Sequence, residues 1–212
     1  MWISDRDCTS GGLVSINCET DFVAKNSSYL ALANSLTDQA LKYDTLENFL
    51  CSDFDGMSVA EKLIEQTGVI GEKIEIGAFK KLTAPYVGSY IHAGNKIATL
   101  VGLSGIVDNA AEISKNIAMQ AAAMNPIALD EEGVDASIIQ KEIEIAKDQL
   151  RQEGKPEAML DNIAKGKIKR FFKDNTLVNQ TFIKDGKISV ADYVKSAHAD
   201  LIVTGFHRIA LG

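Results

Sequence analysis

Apolar and polar residues alternate along Leu13–Cys18, with Leu13, Ser15 and Asn17 set against Val14, Ile16 and Cys18. A period of two predicts a short strand. Trp2–Arg6 is placed to pair with it across Cys8–Gly12, where two adjacent glycines suit a tight hairpin turn. A helix is expected at once after the strand. Thr20 or Asp21 serves as its N-cap, and Val23, Ala24, Leu30, Ala31 and Ala33–Leu36 form its apolar face. Two shorter helices follow over 45–51 and 58–68. Ser58 caps the second, Glu61 completes a capping box, and Gly68 and Gly71 end the helical pattern.

Three strand-like stretches come next: Lys73–Leu82, then Tyr86–His92 and Lys96–Leu103 on either side of an Ala93-Gly94-Asn95 turn. Residues 107–124 return to helix, with Ala110, Ile113, Ile117 and Ala121 on one face and Pro126 just beyond. Over 135–172, Ile139, Ile143, Ala146 and Leu150 step by helical intervals and form a seam. Gly154-Lys155-Pro156 supplies a helix-ending glycine and a proline suited to the next first turn, and Leu160, Ile163, Ala164, Ile168 and Phe171 face the seam. Two helices joined this closely run antiparallel as a hairpin. The remainder predicts a short strand at Thr181–Ile183, a turn at Asp185-Gly186, a helix near 189–197 and a last strand, Leu201–Leu211.

The pattern as a whole reads as α+β: two small subdomains, each a three-stranded antiparallel sheet with helices, plus an inserted antiparallel helical hairpin. The expected divisions are residues 1–85 for the first core subdomain, 86–134 and 173–212 for the two parts of the second, and 135–172 for the hairpin.

Composition narrows the functional classes. The 212 residues carry 22 Lys+Arg against 29 Asp+Glu, a net charge of -7, which argues against general nucleic-acid binding because phosphate affinity rests on clustered cations. The surplus is uneven: residues 1–130 hold 9 basic and 16 acidic groups, whereas 131–212 hold 13 of each. Cys8, Cys18 and Cys51 show no metal-ligand spacing and cannot all pair, which favours a reducing compartment. No apolar run approaches the roughly 20 residues needed to cross a bilayer, and the first residues lack the features of a secretion or transit signal.

Candidate chemistry is sparse. His92, His198 and His207 form no metal-ligand pair, and the chain lacks a nucleophile elbow or phosphate-binding glycine loop. No cofactor is expected. A Cys18–His92 thiol pair is conceivable, but Cys18 ends an apolar strand and reads as a small core residue. Lys165–Lys173 is a basic cluster with two phenylalanines, a pattern suited to touching RNA, but the stronger reading is cations complementing a helix C-terminus and Phe171-Phe172 closing the hairpin onto the sheet. The remaining feature is the strand-to-helix junction Asn17–Asn26. Its plainer reading makes Asp21 an N-cap or first-turn acid and Phe22 a staple packed on its own subdomain. An aromatic beside an acid at the tip of an element is also the form of a protein-binding wedge.

The stretch Ile16-Asn-Cys-Glu-Thr-Asp-Phe-Val-Ala-Lys25 resembles the central motif of the translation elongation factor Ts family. Val69–Ile74, Val87–His92 with Gly94–Ala98, Asn116–Ala122 with Asn125-Pro126, Gly154–Pro156 and Val203–Phe206 resemble further blocks of that family, in the family's order. The resemblance implies two core subdomains with a helical hairpin. It also implies a guanine-nucleotide exchange factor for elongation factor Tu, not an enzyme with bond-making residues, working in the cytoplasm of a bacterium or in a mitochondrial matrix or plastid. Carried over by motif, Asp21 and Phe22 fall on the family's intruding pair, Phe22 as a wedge and Asp21 as the group that disturbs the partner's magnesium and phosphate site. Ile70, Gly71 and His92 fall on other contact positions, and the hairpin engages the partner or a second copy of this chain. The acidic surplus of residues 1–130 would then face the partner's nucleotide site.

The family usually begins with a small three-helix domain that binds the partner. Trp2–Arg6 stands where the first sheet strand of the family stands, so the chain is expected to begin just after that domain and to bind with reduced affinity. Two alternatives follow: a binding or dimerisation scaffold without exchange activity, and a thiol enzyme at Cys18. Cys18→Ser leaves exchange intact on the exchange-factor reading and abolishes activity on the thiol one.

Overall fold

The computed structural model describes residues 2–4, 8–92, 94 and 96–211, the first three by their backbone. The chain gathers into two compact units, residues 1–122 with 204–212, and residues 123–203. Helices and small antiparallel sheets succeed one another in an α+β fold, with eight helices and ten strands among the described residues.

The first unit opens with β1 (Trp2–Ser4) and β2 (Ser10–Asn17), followed by α1 (Asp21–Ala24), α2 (Ser27–Ala40) and α3 (Leu46–Leu50). A small hairpin of β3 (Asp53–Phe54) and β4 (Met57–Ser58) leads into α4 (Val59–Ile70) and β5 (Glu75–Thr83). Then come β6 (Tyr86–Ile91), β7 (Ile97–Leu103) and α5 (Ala110–Met124). One sheet has the order β1-β2-β5, antiparallel throughout. The other places β7 between β6 and the last strand of the chain, β10 (Val203–Ala210). That last strand runs antiparallel to β7, since the Leu211 amide donates to the Lys96 carbonyl at 2.8 Å and Gly102 faces Thr204.

β2 is covered on both faces, which is what its alternating apolar residues on opposite sides dictate. Leu13 joins Ala84, Val87, Ala98 and Leu100 in the core toward the second sheet. Val14 joins Tyr29, Leu36, Phe49, Val59 and Leu63 beneath the helices. Leu13, Val14, Leu36, Phe49, Val59, Val87 and Leu100 are fully buried, and each contributes on the order of 1.5–3 kcal/mol.

The Gly11-Gly12 pair does not form the expected turn. Both residues lie inside β2, opposite Ser4 and Ile3 of β1. Packing explains the correction: a Cβ on Gly11 would stand 2.9 Å from both Leu100 and Val87 of the second sheet, so the strand needs a bare backbone there. Asp5 and Arg6 of the expected first strand, and Ala93 and Asn95 of the expected turn after His92, lie outside the described residues.

The single helix expected after β2 is two. Asn26 breaks it by capping α2, its side-chain oxygen accepting from the Ser28 amide at 2.8 Å. The Ser58–Glu61 capping box is present as expected, but Gly68 does not end the helix, which continues to Ile70. The β3–β4 hairpin, which the periodicity did not predict, turns at Asp55-Gly56 with both residues at positive φ.

The second unit carries α6 (Ala136–Gln152) and α7 (Glu157–Asn175), then β8 (Thr181–Phe182), β9 (Asp185–Ser189) and α8 (Val190–Ala197). The first two form the expected antiparallel hairpin, shown by ion pairs from Arg151 to Glu157 at 2.8 Å and from Lys147 to Asp161 at 2.7 Å. Ala146, Leu150, Leu160 and Ala164 close the seam near the loop, whereas Ile139, Ile143, Ile168 and Phe171 are only half-buried. In the basic cluster Lys165–Lys173, Lys167 donates to Gln149 and Arg170 pairs with Asp174, so part of that charge is spent within the hairpin. Asp185-Gly186 is not a turn. These residues open β9, and the reversal falls on Ile183-Lys184, because Phe182 pairs directly with Asp185.

Candidate functional site

β2 leaves its sheet at Asn17 and turns into the short helix α1 at Thr20, the N-cap. The Thr20 hydroxyl accepts from the Val23 amide at 3.4 Å, and the Ala24 amide donates to the Thr20 carbonyl at 3.2 Å. Asp21 is the first residue of the helix, an acid in its first turn. Because Asn26 starts the next helix, α1 has only four residues and can turn one side inward. Val23 takes that side, packing against the core of Val14 and Tyr29. Phe22 therefore points outward and is 89% exposed. That overturns the reading of Phe22 as a staple on its own subdomain.

The end of α4 lies against this tip. Gly71 closes the helix in the left-handed conformation (φ +81°), its amide donating to the Thr67 carbonyl at 2.9 Å. Ile70, one residue earlier, is half-buried against the core that holds Val23. The residue after Gly71, Glu72, reaches across: its carboxylate accepts from the amides of Glu19 and Thr20 and from the Thr20 hydroxyl. These bonds, the Thr20 hydroxyl foremost, hold its carboxyl below the usual carboxylate range. Asp21, Phe22, Ile70 and Gly71 thus come together on one tip. Val69 and Ile64, both 73% exposed, lie on the same helix α4.

His92 stands apart, exposed just past the end of β6, with its Nδ1 3.1 Å from the Tyr90 hydroxyl. Its chain neighbours Ile91 and Gly94 line a cleft of about 870 Å³ whose wall also includes Asp21, Ala24 and Lys25. The floor holds Tyr29, whose hydroxyl donates to the Ile16 carbonyl at 2.6 Å and whose phenol is raised chiefly by burial and further by neighbouring Cys18. Cys18 donates its thiol to the Thr20 carbonyl at 3.4 Å. Among the described residues, no three His, Cys, Asp or Glu side chains gather as metal ligands.

Sequence reasoning missed Glu72, Val69 and Ile64. Glu72 lay within a recognised block, but an acid after a helix-ending glycine reads as a solvated surface charge, and its partners are 52 and 53 residues away. Val69 and Ile64 offered a signal, being apolar residues off the buried stripe of their helix.

Residues 19–212 match the family model described as Elongation factor TS. The chain is 65% identical over 206 residues to an Elongation factor Ts of Christiangramia forsetii, covering 97% of this chain and 75% of that one. It is 62% identical over 210 residues to one of Flavobacterium psychrophilum, covering 99% and 77%. An Elongation factor Ts of Amoebophilus asiaticus is 44% identical over 205 residues, covering 95% and 74%. A tip built on a family motif, in a chain that matches from residue 19 onward, admits one assignment: the chain belongs to the elongation factor Ts family.

Proposed function

We propose that this protein is a guanine-nucleotide exchange factor for elongation factor Tu, working in the cytoplasm of a bacterium. Phe22 wedges between helices of the partner's nucleotide domain, and Asp21 disturbs the magnesium and water at the phosphates. The observation that carries the reading is Phe22 itself, an aromatic 89% exposed on a four-residue helix and preceded by an acid. An aromatic held in water by its own fold gains only when a partner covers it. Ile70 and Gly71 add contacts beside the wedge, and His92 adds one from the end of β6.

Exchange needs no covalent step. Where this protein and GDP each weaken the other's hold on elongation factor Tu, the coupling is reciprocal and GDP leaves through a ternary complex. Magnesium bridges phosphate oxygens and protein ligands, so a carboxylate that disturbs its shell loosens the nucleotide. The hairpin is a second docking surface, for the partner or for another copy of this chain. Its exposed Ile138, Ile145 and Met159 support that role, and they also favour the second reading, a scaffold that binds without promoting exchange.

Release of labelled GDP from elongation factor Tu, with and without magnesium, tests the proposal. Acceleration that is largest with magnesium present is the expected result. A complex that forms without faster release would leave only the scaffold.

A further inference from the structure

We infer that Glu72 is a positioning residue for exchange, acting through Phe22 by clamping the tip that carries it; this rests on the wedge reading above. One carboxylate oxygen of Glu72 accepts from the Glu19 amide at 3.0 Å and the Thr20 amide at 2.9 Å, while the other takes the Thr20 hydroxyl at 2.5 Å. The tie is returned in the opposite direction, as the Lys73 amide donates to the Glu19 carboxylate at 3.4 Å. The Lys73 ammonium meanwhile pairs with Glu75 at 2.6 Å and leaves the Glu72 carboxylate to the tip.

The tip needs such a tie. A single helical turn does not hold itself in water, and α1 has four residues, none of them buried. Val23 is its inward anchor, and Phe22 makes no use of the protein's own core. Thr20 links the clamp to the helix, since the hydroxyl that donates to Glu72 also accepts from the Val23 amide as the N-cap. Without the carboxylate, the amides of Glu19 and Thr20 turn to water and the N-cap loses its orientation. The tip then spends part of its time with Phe22 misdirected, and apparent affinity falls by the fraction that remains competent. Once the partner has selected the competent form, the release step is unchanged.

The test is a double-mutant cycle on the full chain, reading labelled GDP release from elongation factor Tu across a titration of this protein. Glu72→Ala is expected to raise the half-saturating concentration about tenfold, as loss of charge-assisted hydrogen bonds that set a competent fraction would, and to leave the plateau rate unchanged. Glu72→Gln, which keeps one oxygen acceptor, is expected to fall between Glu72→Ala and the unaltered chain. In a Phe22→Ala background the same Glu72→Ala change is expected to shift half-saturation less than about twofold. An unchanged half-saturation in the unaltered background, an equal shift in both backgrounds, or a fall confined to the plateau would each overturn the inference. If Phe22→Ala alone released GDP as the unaltered chain does, the wedge would fall, and the clamp's role with it.

Discussion

Phe22→Ala separates the stability of this protein from its binding. In the free protein the side chain is 89% exposed, so its removal takes little from the core. The folding free energy should change by less than about 0.5 kcal/mol, as for a surface substitution. In the complex, a phenylalanine offers about 150–250 Å² for burial. Nearly all of that is open before binding, and at about 25 cal/mol per Å² it corresponds to roughly 3–6 kcal/mol. Alanine keeps its Cβ contact and the interface loses some freedom on forming. The expected loss is therefore about 2–4 kcal/mol, a weakening of about 30- to 900-fold. Titrating labelled GDP release from elongation factor Tu against each protein, beside a urea melt of each, reads both quantities. A melt that moves while the titration does not would refute the reasoning, because it would make Phe22 a residue of the fold and not of the interface.

Three further substitutions probe the packing of β6, α5 and β10. A Cβ on Gly88 would stand 2.0 Å from the Ser114 hydroxyl oxygen and 2.3 Å from its Cβ, and Ser114 is fully buried. Gly88→Ala should destabilise by about 3 kcal/mol through overpacking, and Ser114→Gly in the same chain should recover about 2 kcal/mol of it despite the helix penalty of glycine; additive losses in urea unfolding would contradict that. Burial, and to a smaller degree the charge of Lys80, hold the His207 imidazole below its usual value, against the pull of its hydrogen bond to the Lys81 carbonyl at 3.1 Å. The folded protein therefore binds this proton less readily than the unfolded chain. The neutral histidine's contribution to stability is present above about pH 6.5 and is lost as pH falls below it. His207→Gln should flatten the stability slope between about pH 7 and 5, and an unaltered slope of urea midpoints would remove His207 from the acid response.

What the sequence made legible was local. The Ser58–Glu61 box is a spacing rule between neighbours, and it appears with both of its hydrogen bonds. The hairpin of α6 and α7 follows from a seam at helical intervals and a Gly-Lys-Pro loop. Gly11-Gly12 misled because glycine serves two needs, turning and close approach, and only the distant Val87 and Leu100 decide between them. Asn26 caps a second helix inside a continuous apolar face, and that continuity is what made one helix of two. At the tip, Asp21 and Phe22 stood out by type and motif. That Phe22 points away from the core follows from Val23 taking the one inward place, which requires knowing that α1 is a single turn. The link between Thr20 and Glu72 was out of reach, because nothing near either residue marks the other.

The position of β10 beside β7 has a consequence for synthesis. β6 and β7 can pair as soon as Leu103 has left the ribosome, but the strand that covers the free edge of β7 begins at Val203, about one hundred residues later. At about 5–20 residues per second, that edge waits roughly 5–20 s on the nascent chain, while β1, β2, β5 and the Phe22 tip can already assemble. The newborn protein therefore presents a strand edge open to other chains during that interval, and a pause in translation within residues 104–202 would lengthen it.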